Sequence, residues 1–315
     1  MALNSQLQTV MGFFLLAASA GTQIDLNPPR DPSVIRVDVD LVNLLCTVRD
    51  KDGATVKDLS KQDFVVLDEG RRQTITQFAR EVNSPLTVAL LLDVSGSVAN
   101  ILKIEKAAAS QFFSNVLRPG DRALLVGFAQ YVIVWQNLTS SRDDLDTALK
   151  QRAGPMYALS GAPPARGGTL LRDAVNLVAS QKLKSLPGRK AMVLITDGED
   201  NGSRASLDAA IKAAQEADAA IYGIHYEDAG MAYGTGRHVL NLMAGPTGGR
   251  TFHVDRKMTL EKAFAAIEEE MRNQYALGYP LPEKSPVPQF HKVNVKILKP
   301  GLKAQVRNGY YSIPR

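Results

Sequence analysis

The 315-residue chain is long enough for one large domain, or for a medium domain with a smaller companion. Its formal net charge is +5 and its hydrophobic content 45%, values ordinary for a folded protein with a mildly basic surface. No Lys/Arg run or basic-aromatic interleaving concentrates that charge, which argues against a nucleic-acid partner; the single cysteine, Cys46, excludes an intramolecular disulfide and any multi-cysteine zinc site.

The first twenty residues contain no Asp, Glu, Lys or Arg, and Val10 to Ala20 form an apolar run ending in Ala18-Ser19-Ala20. This pattern predicts a signal peptide over residues 1–20, cleaved near Ala20, and hence a secreted or periplasmic protein. The n-region departs from the usual form in lacking a basic side chain. The run is too short to span a bilayer comfortably, and no later segment is long and apolar enough to do so. An apolar N-terminal helix docked on the domain is the competing reading.

From Ile35 the apolar residues alternate through Leu41, then shift phase after Val42 to Leu44, Cys46 and Val48. Such a slip predicts a strand carrying a β-bulge, with Cys46 a buried structural thiol. Asp63 to Phe78 reads as a hairpin about Glu69-Gly70. Between about Leu86 and Glu270 the texture changes. The runs TVALLLD, RALLVGFA, YVIVW, AMVLIT and AAIYGIHY are strands, several of them apolar throughout. Amphipathic helices begin near Ile101, at Ser206 and after the N-cap Thr259. Strands apolar on both faces belong to a mostly parallel sheet covered by helices, so this part is an α/β domain of Rossmann-like type. The tail returns to β with YALGY, FHKVNVKIL and AQVRNGYYS. Neither β-rich flank can bury a core alone. The predicted organisation is therefore the leader, an inserted α/β domain over 83–274, and a small β-sandwich built jointly from 31–82 and 275–315.

Three loops carry matching oxygen chemistry. The strand TVALLLD runs into Asp93-Val94-Ser95-Gly96-Ser97. Gly167-Gly168 precede Thr169 at the start of a helical pattern, and another buried strand ends in Thr196-Asp197-Gly198. Ligands of parallel α/β sheets sit at the carboxyl ends of strands. Asp93, Ser95, Ser97, Thr169 and Asp197 thus form a candidate all-oxygen site, suited to Mg²⁺ or Mn²⁺ rather than to a soft metal. The same Ser and Gly residues also suit a plain turn and helix cap.

D-x-S-x-S, Gly-Gly-Thr and T-D-G-x-D, in this order, resemble the metal-ion-dependent adhesion site (MIDAS) of von Willebrand factor type A (VWFA) domains. The resemblance covers about Leu86 to Glu270. The flanking segments, from VDLVNLLCTVRDKDG to VRNGYY, are similar to the VWFA-related proteins of Acidobacteria. The resemblance implies that the Ser95 and Ser97 hydroxyls ligate the cation, joined by Thr169 in a ligand-competent state. Asp93 and Asp197 act directly or through water, and a protein partner supplies a carboxylate to the remaining position. The expected function is cation-dependent protein binding or adhesion without catalysis. A metal-dependent hydrolase and a metal-free scaffold are the alternatives.

Other signals are weaker. Asp38-Val39-Asp40-Leu41-Val42 spells a D-x-D-x-[TV] phosphatase motif, but on the polar face of a strand with no α/β unit following. There is no G-x-S-x-G and no P-loop. His225, His238, His253 and His291 lack metal-ligand spacing; His225, at a strand end, reads as structural. Arg166, Glu199 and Asp200 border the candidate site, and Asn137-Leu138-Thr139 is a glycosylation sequon in form only.

Overall fold

Strand β5 (Leu86–Asp93) is buried at every residue, as its unbroken apolar run requires, and the rest of the α/β domain is laid out around it. The computed structural model describes residues 41–81, 84–95, 102–152, 168–226, 235–281 and 287–312, with side chains from 106 in the helix that begins at 102. The leader, the strand expected before Leu41, the D-x-D pattern, Ser97 and Arg166 lie outside the described residues.

β5 pairs in parallel with β6 (Arg122–Phe128) on one side and β8 (Arg189–Thr196) on the other. β9 (Ala219–His225) and β10 (Thr251–His253) continue beyond β8, and β7 (Val132–Thr139) adds antiparallel to β6. The six-stranded order is β10-β9-β8-β5-β6-β7. Chain order thus reverses between β5 and β8, which makes their carboxyl ends the topological switch point.

Helices α1 (Leu102–Val116), α2 (Arg142–Arg152) and α6 (Leu260–Arg272) cover one face. There Val88, Leu90 and Leu92 of β5 meet Phe112, Phe264 and Ile267. Phe112 stacks on Phe264 with centroids 4.4 Å apart. The other face is covered by α3 (Leu171–Leu177, continued by a π-helical turn Val178–Leu183), α4 (Leu207–Glu216) and α5 (Thr235–Ala244). Ser206 and Thr259 cap α4 and α6 by accepting from Ala209 N–H and Lys262 N–H. On α4 the buried stripe is Ala210, Ala213 and Ala214, with Ala217 just beyond; of the stripe Leu207, Ile211, Ala214 and Ala217 that the sequence pattern suggests, the two alanines are buried and Leu207 and Ile211 lie half-buried at its margin.

The flanks form two four-stranded antiparallel sheets. One is β13 (Lys303–Gln305), β1 (Leu41–Arg49), β11 (Gln274–Pro280) and β4 (Gln77–Glu81). The other is β14 (Gly309–Tyr311), β12 (Phe290–Ile297), β2 (Phe64–Asp68) and β3 (Arg71–Gln73). They share one core of Leu44, Cys46 and Tyr275 from the first with Phe64, Val66 and Val293 from the second. This is the β-sandwich expected from the flanks. The β2–β3 turn is Glu69-Gly70, both at positive φ (47° and 77°), the two-residue geometry matched to strand twist. Burial pushes the Cys46 thiol up to about 12, the signature of an inert core cysteine.

The phase slip expected after Val42 is not there. Val42, Leu44, Cys46 and Val48 are buried in one phase, Leu41 faces solvent, and the ladder with β11 runs unbroken from Leu41↔Pro280 to Cys46↔Tyr275. Val42 already belongs to the inward set, so this length of strand needs no bulge.

Asp121, in the turn before β6, ties the α/β domain to the end of α6. It accepts from Leu86 N–H (2.7 Å) and Arg118 N–H (2.9 Å) and pairs with buried Arg272. Asp121→Ala leaves that guanidinium without its carboxylate, and removes the acceptor of the buried Leu86 amide and of the part-buried Arg118 amide. The expected loss is roughly 3–5 kcal/mol in urea unfolding, the usual result of breaking a buried pair from one side. A loss below about 1 kcal/mol contradicts this account.

Candidate functional site

Asp93 is the last residue of β5 and is fully buried. Its Oδ1 accepts from Ser95 N–H (2.9 Å) and its Oδ2 from the Thr196 hydroxyl (2.6 Å) at the end of β8; the Ser95 side chain also hydrogen-bonds to it. Thr196 Oγ1 in turn accepts from Gly198 N–H at 3.0 Å. These donors are all neutral. Burial therefore pushes the Asp93 carboxyl up to about 6, against the lowering effect of the Thr196 and Ser95 hydrogen bonds, and nearby Asp197 adds a smaller push the same way.

Asp197 begins the loop after β8 and is half-buried; its Oδ1 accepts from Glu199 N–H at 2.9 Å. Its neighbour Gly198 has φ +81°, and a Cβ there would meet the backbone of Gly236 at 2.4 Å. A Cβ on Gly236 would lie 1.9 Å from the Asp197 carbonyl oxygen. The first turn of α5 thus presses directly on the Asp197 loop, a contact only a glycine pair permits.

Thr169 is buried just before α3, and its N–H donates to Asn201 Oδ1 at 2.8 Å. Leu170 N–H donates to the carbonyl of Ala129 beyond β6 at 2.9 Å. Arg172 clamps Asp200 through its Nε (2.9 Å) and Nη2 (3.1 Å), while Arg172 N–H donates to the same carboxylate. The loops bearing Asp93, Thr169 and Asp197 are therefore bonded into one end of the sheet. Ser97 belongs to the same expected set but lies outside the described residues.

Of the border residues, Asp200 is spent on Arg172, and exposed Glu199 accepts from the Thr235 hydroxyl at 2.7 Å. His225 is buried with its Nδ1 3.0 Å from Nδ1 of His253, a packed pair at the ends of β9 and β10. Sequence reasoning gave no role to Thr196, Asn201, Arg172 or Gly236. Thr196 was visible in T-D-G, but its bond to Asp93 depends on the pairing of β5 with β8.

A hard cation fits these residues. Asp93 is a desolvated carboxylate whose described partners carry no positive charge, and the oxygens around it are hydroxyl and carboxylate. Among the described residues no group of three or more His, Cys, Asp or Glu that could hold a metal converges, so a cation here would depend on the hydroxyl oxygens.

The model of the von Willebrand factor type A domain matches residues 87–266, more than half of the chain. The chain belongs to the von Willebrand factor type A domain family. The matched span of this type A domain runs from β5 into α6. Comparison with curated proteins gives no match. Among solved structures, BatB from Bacteroides thetaiotaomicron is 20% identical over 59% of this chain and 97% of its own, with a TM-score of 0.48. Proximal thread matrix protein 1 of the mussel byssus is 17% identical over 65% of this chain and 51% of its own, TM-score 0.49. Another structure of that protein has a zinc-occupied MIDAS motif. The pilus adhesin SpaC of Lactobacillus rhamnosus GG is 13% identical over 81% and 42%, TM-score 0.46. No helix among the described residues is long and apolar enough to cross a membrane.

The Asp93 environment in this type A domain sets a pH dependence. Its carboxyl is raised from 3.8 to about 6 on folding, so between these values the folded state holds the proton more tightly than the unfolded chain. Its contribution to stability is greatest below pH 4 and is lost as pH rises through 6. In chelated protein, Asp93→Asn removes this loss; the Thr196 hydroxyl can turn to accept from the new amide. The variant is expected to be more stable than the wild type by up to about 3 kcal/mol at pH 7, with the gap closing at pH 4. Urea titrations at the two pH values measure it, and a gap that does not change with pH refutes it.

Proposed function

We propose that the type A domain binds Mg²⁺ or Mn²⁺ at the carboxyl ends of β5 and β8 and uses it to recognise a protein partner through a partner carboxylate. The observation that carries this reading is Asp93, buried at the switch point among neutral donors, with Ser95, Thr169 and Asp197 on loops joined to it. Ser95, Ser97 and Thr169 are the hydroxyl ligands in this scheme, and Asp93 and Asp197 supply the negative charge, directly or through water. A cation held mainly by hydroxyls stays electron-poor and offers an open position to an external carboxylate oxygen. Thr196 fixes the Asp93 carboxylate, and Asn201 fixes the backbone of Thr169, so the ligands are oriented before the cation arrives.

The reading is one of recognition rather than catalysis. Hydrolysis by the same cation needs a base to take the proton of water. The buried imidazole of His225, level with Thr196 on the neighbouring strand, has its Nδ1 3.0 Å from that of His253. The apolar leader and its small-residue end support export, so the partner belongs to the cell envelope or the surroundings.

Thermal unfolding with Mg²⁺ or Mn²⁺ titrated into wild type and Asp93→Ala tests the site. Wild type should be stabilised in step with the logarithm of cation concentration above Kd, by about 2.7 kcal/mol at a hundredfold excess over Kd, and Asp93→Ala should not respond. Equal responses in the two proteins overturn the metal site. Binding to an array of Asp- and Glu-bearing peptides against their Asn and Gln counterparts tests recognition. Capture should require both the cation and the carboxylate; capture that survives chelation refutes the role given to the metal.

A further inference from the structure

The sandwich carries the charge surplus of the chain. Residues 41–81 and 274–312 hold thirteen Lys and Arg against eight Asp and Glu, a difference equal to the net +5 of the full sequence. The alternation of β12 decides where part of that surplus goes. His291, Val293 and Val295 are buried, so Phe290, Lys292, Asn294 and Lys296 point out and are exposed. Leu298 continues the outward phase, because Leu298 N–H still bonds to the Asp63 carbonyl beyond the last ladder pair, Ile297↔Phe64.

The neighbouring strands extend this face. β2 sets half-buried Val65 beside Lys296 and Leu67 beside Asn294, and β3 sets exposed Arg72 beside Leu67. At the other end Phe290 meets Tyr311 of β14 with centroids 5.1 Å apart, its ring lying over the bare backbone of Gly309. Along β12, β2 and β3 no outward side chain is acidic. The carboxylates at the border are held locally: Glu69 accepts from Lys292 N–H, and Asp63 accepts from Ser60 N–H (2.8 Å) and pairs with Lys299 at 3.5 Å. Lys292, Lys296 and Arg72 form no ion pair among the described residues. Ordinary solvated surfaces intersperse both signs of charge. This one has a single sign and keeps Phe290 41% and Leu298 61% exposed among its cations.

We infer that this outer sheet face docks on an anionic phospholipid surface. Lys292, Lys296 and Arg72 meet the phosphate oxygens, while Phe290 and Leu298 enter the boundary between headgroups and acyl chains. The outward row from Phe290 to Leu298 runs about 27 Å at the rise of an antiparallel strand, a length suited to an extended surface rather than to one small anion. A nucleic-acid strand would meet the same charges but would leave Leu298, Val65 and Leu67 without a use; a lipid boundary takes both kinds of group. The face belongs to the sandwich, so this inference does not rest on the metal site of the α/β domain.

The test is co-sedimentation with vesicles of phosphatidylcholine alone or mixed with phosphatidylglycerol, in a chelator so that no divalent cation bridges protein and lipid. Both the full chain and the chain from Gly21 are used, which separates out the affinity of the apolar leader for lipid. Sedimentation of the latter should require the anionic lipid and weaken as salt is raised. Lys292→Gln with Lys296→Gln should weaken it about thirtyfold, the worth of two cations at an anionic surface. Lys150→Gln with Lys257→Gln, which removes the same charge from exposed positions of the α/β domain, should leave it unchanged. Phe290→Trp should show a blue-shifted emission on anionic vesicles, read against the buried Trp135. The inference is overturned by equal binding to neutral vesicles, by equal effects of the two lysine pairs, or by an emission that vesicles do not move. Capture by single-stranded DNA or polyglutamate as tight as by the anionic vesicles overturns the choice of lipid.

Discussion

The arrangement of the α/β domain turns on one carboxylate placed where a strand buried on both faces ends. β5 is buried throughout, and apolar from Val88 to Leu92, because sheet neighbours lie on both sides and helices on both faces. Its last residue leaves that environment only at the switch point, where chain order reverses toward β8. Asp93 therefore has little water and must be satisfied by what the neighbouring strand ends provide. Thr196 does this from β8 and Ser95 from the outgoing loop. The tight seat of Gly236 on Asp197 and the bond from Thr169 to Asn201 hold the other two loops against this centre. Replacing a neutral donor here by Lys or Arg would satisfy Asp93 with an internal cation. The described structure instead surrounds it with groups that orient the carboxylate and leave its charge uncompensated.

The second constraint is that the sandwich is closed only when both ends of the chain are in place. α6 runs through Asn273 into β11 with no linker, and β11 pairs with β1 and β4 from the opposite end of the sequence. The α/β domain is thus held between two strands of one sheet. Glu270 on α6 reaches Arg49 on β1, and Asn308 of the sandwich accepts from Gln215 at the end of α4. Movement of α6 is consequently resisted by ion pairs as well as by its apolar face.

The fold was legible because its signals are local. All-apolar strands gave the parallel sheet, caps at Ser206 and Thr259 gave helix starts, and Glu69-Gly70 gave a hairpin. The misreading at Val42 came from one outward leucine: Leu41 continued an upstream alternation and hid the point at which the inward phase began. On α4 the stripe was half read: Ala214 and Ala217 are buried, while small alanines at 210 and 213 pack closest to the sheet and leave the larger Leu207 and Ile211 at the rim. At the site, Asp93, Ser95, Thr169 and Asp197 were readable as oxygen donors at strand ends and a helix start. Thr196, Arg172 and Gly236 were not. Their roles come from pairings between segments tens of residues apart, as with Arg172 and Asp200 or Gly236 and Asp197.

The chemistry of Asp93 also bears on how a cation site of the proposed kind survives without its cation. Two permanently charged carboxylates at one buried strand end would repel each other and destabilise the empty domain. A carboxyl raised to about 6 lowers that cost, because the protonated form is accessible within about a pH unit of neutrality. On the proposed reading a divalent cation competes with this proton. It gains the ionised carboxylate at neutral pH and loses it progressively below pH 6, without the fold having to rearrange. A donor set rich in hydroxyls serves the same end. Neutral hydroxyls do not repel one another when the cation is gone, whereas a cluster of carboxylates would.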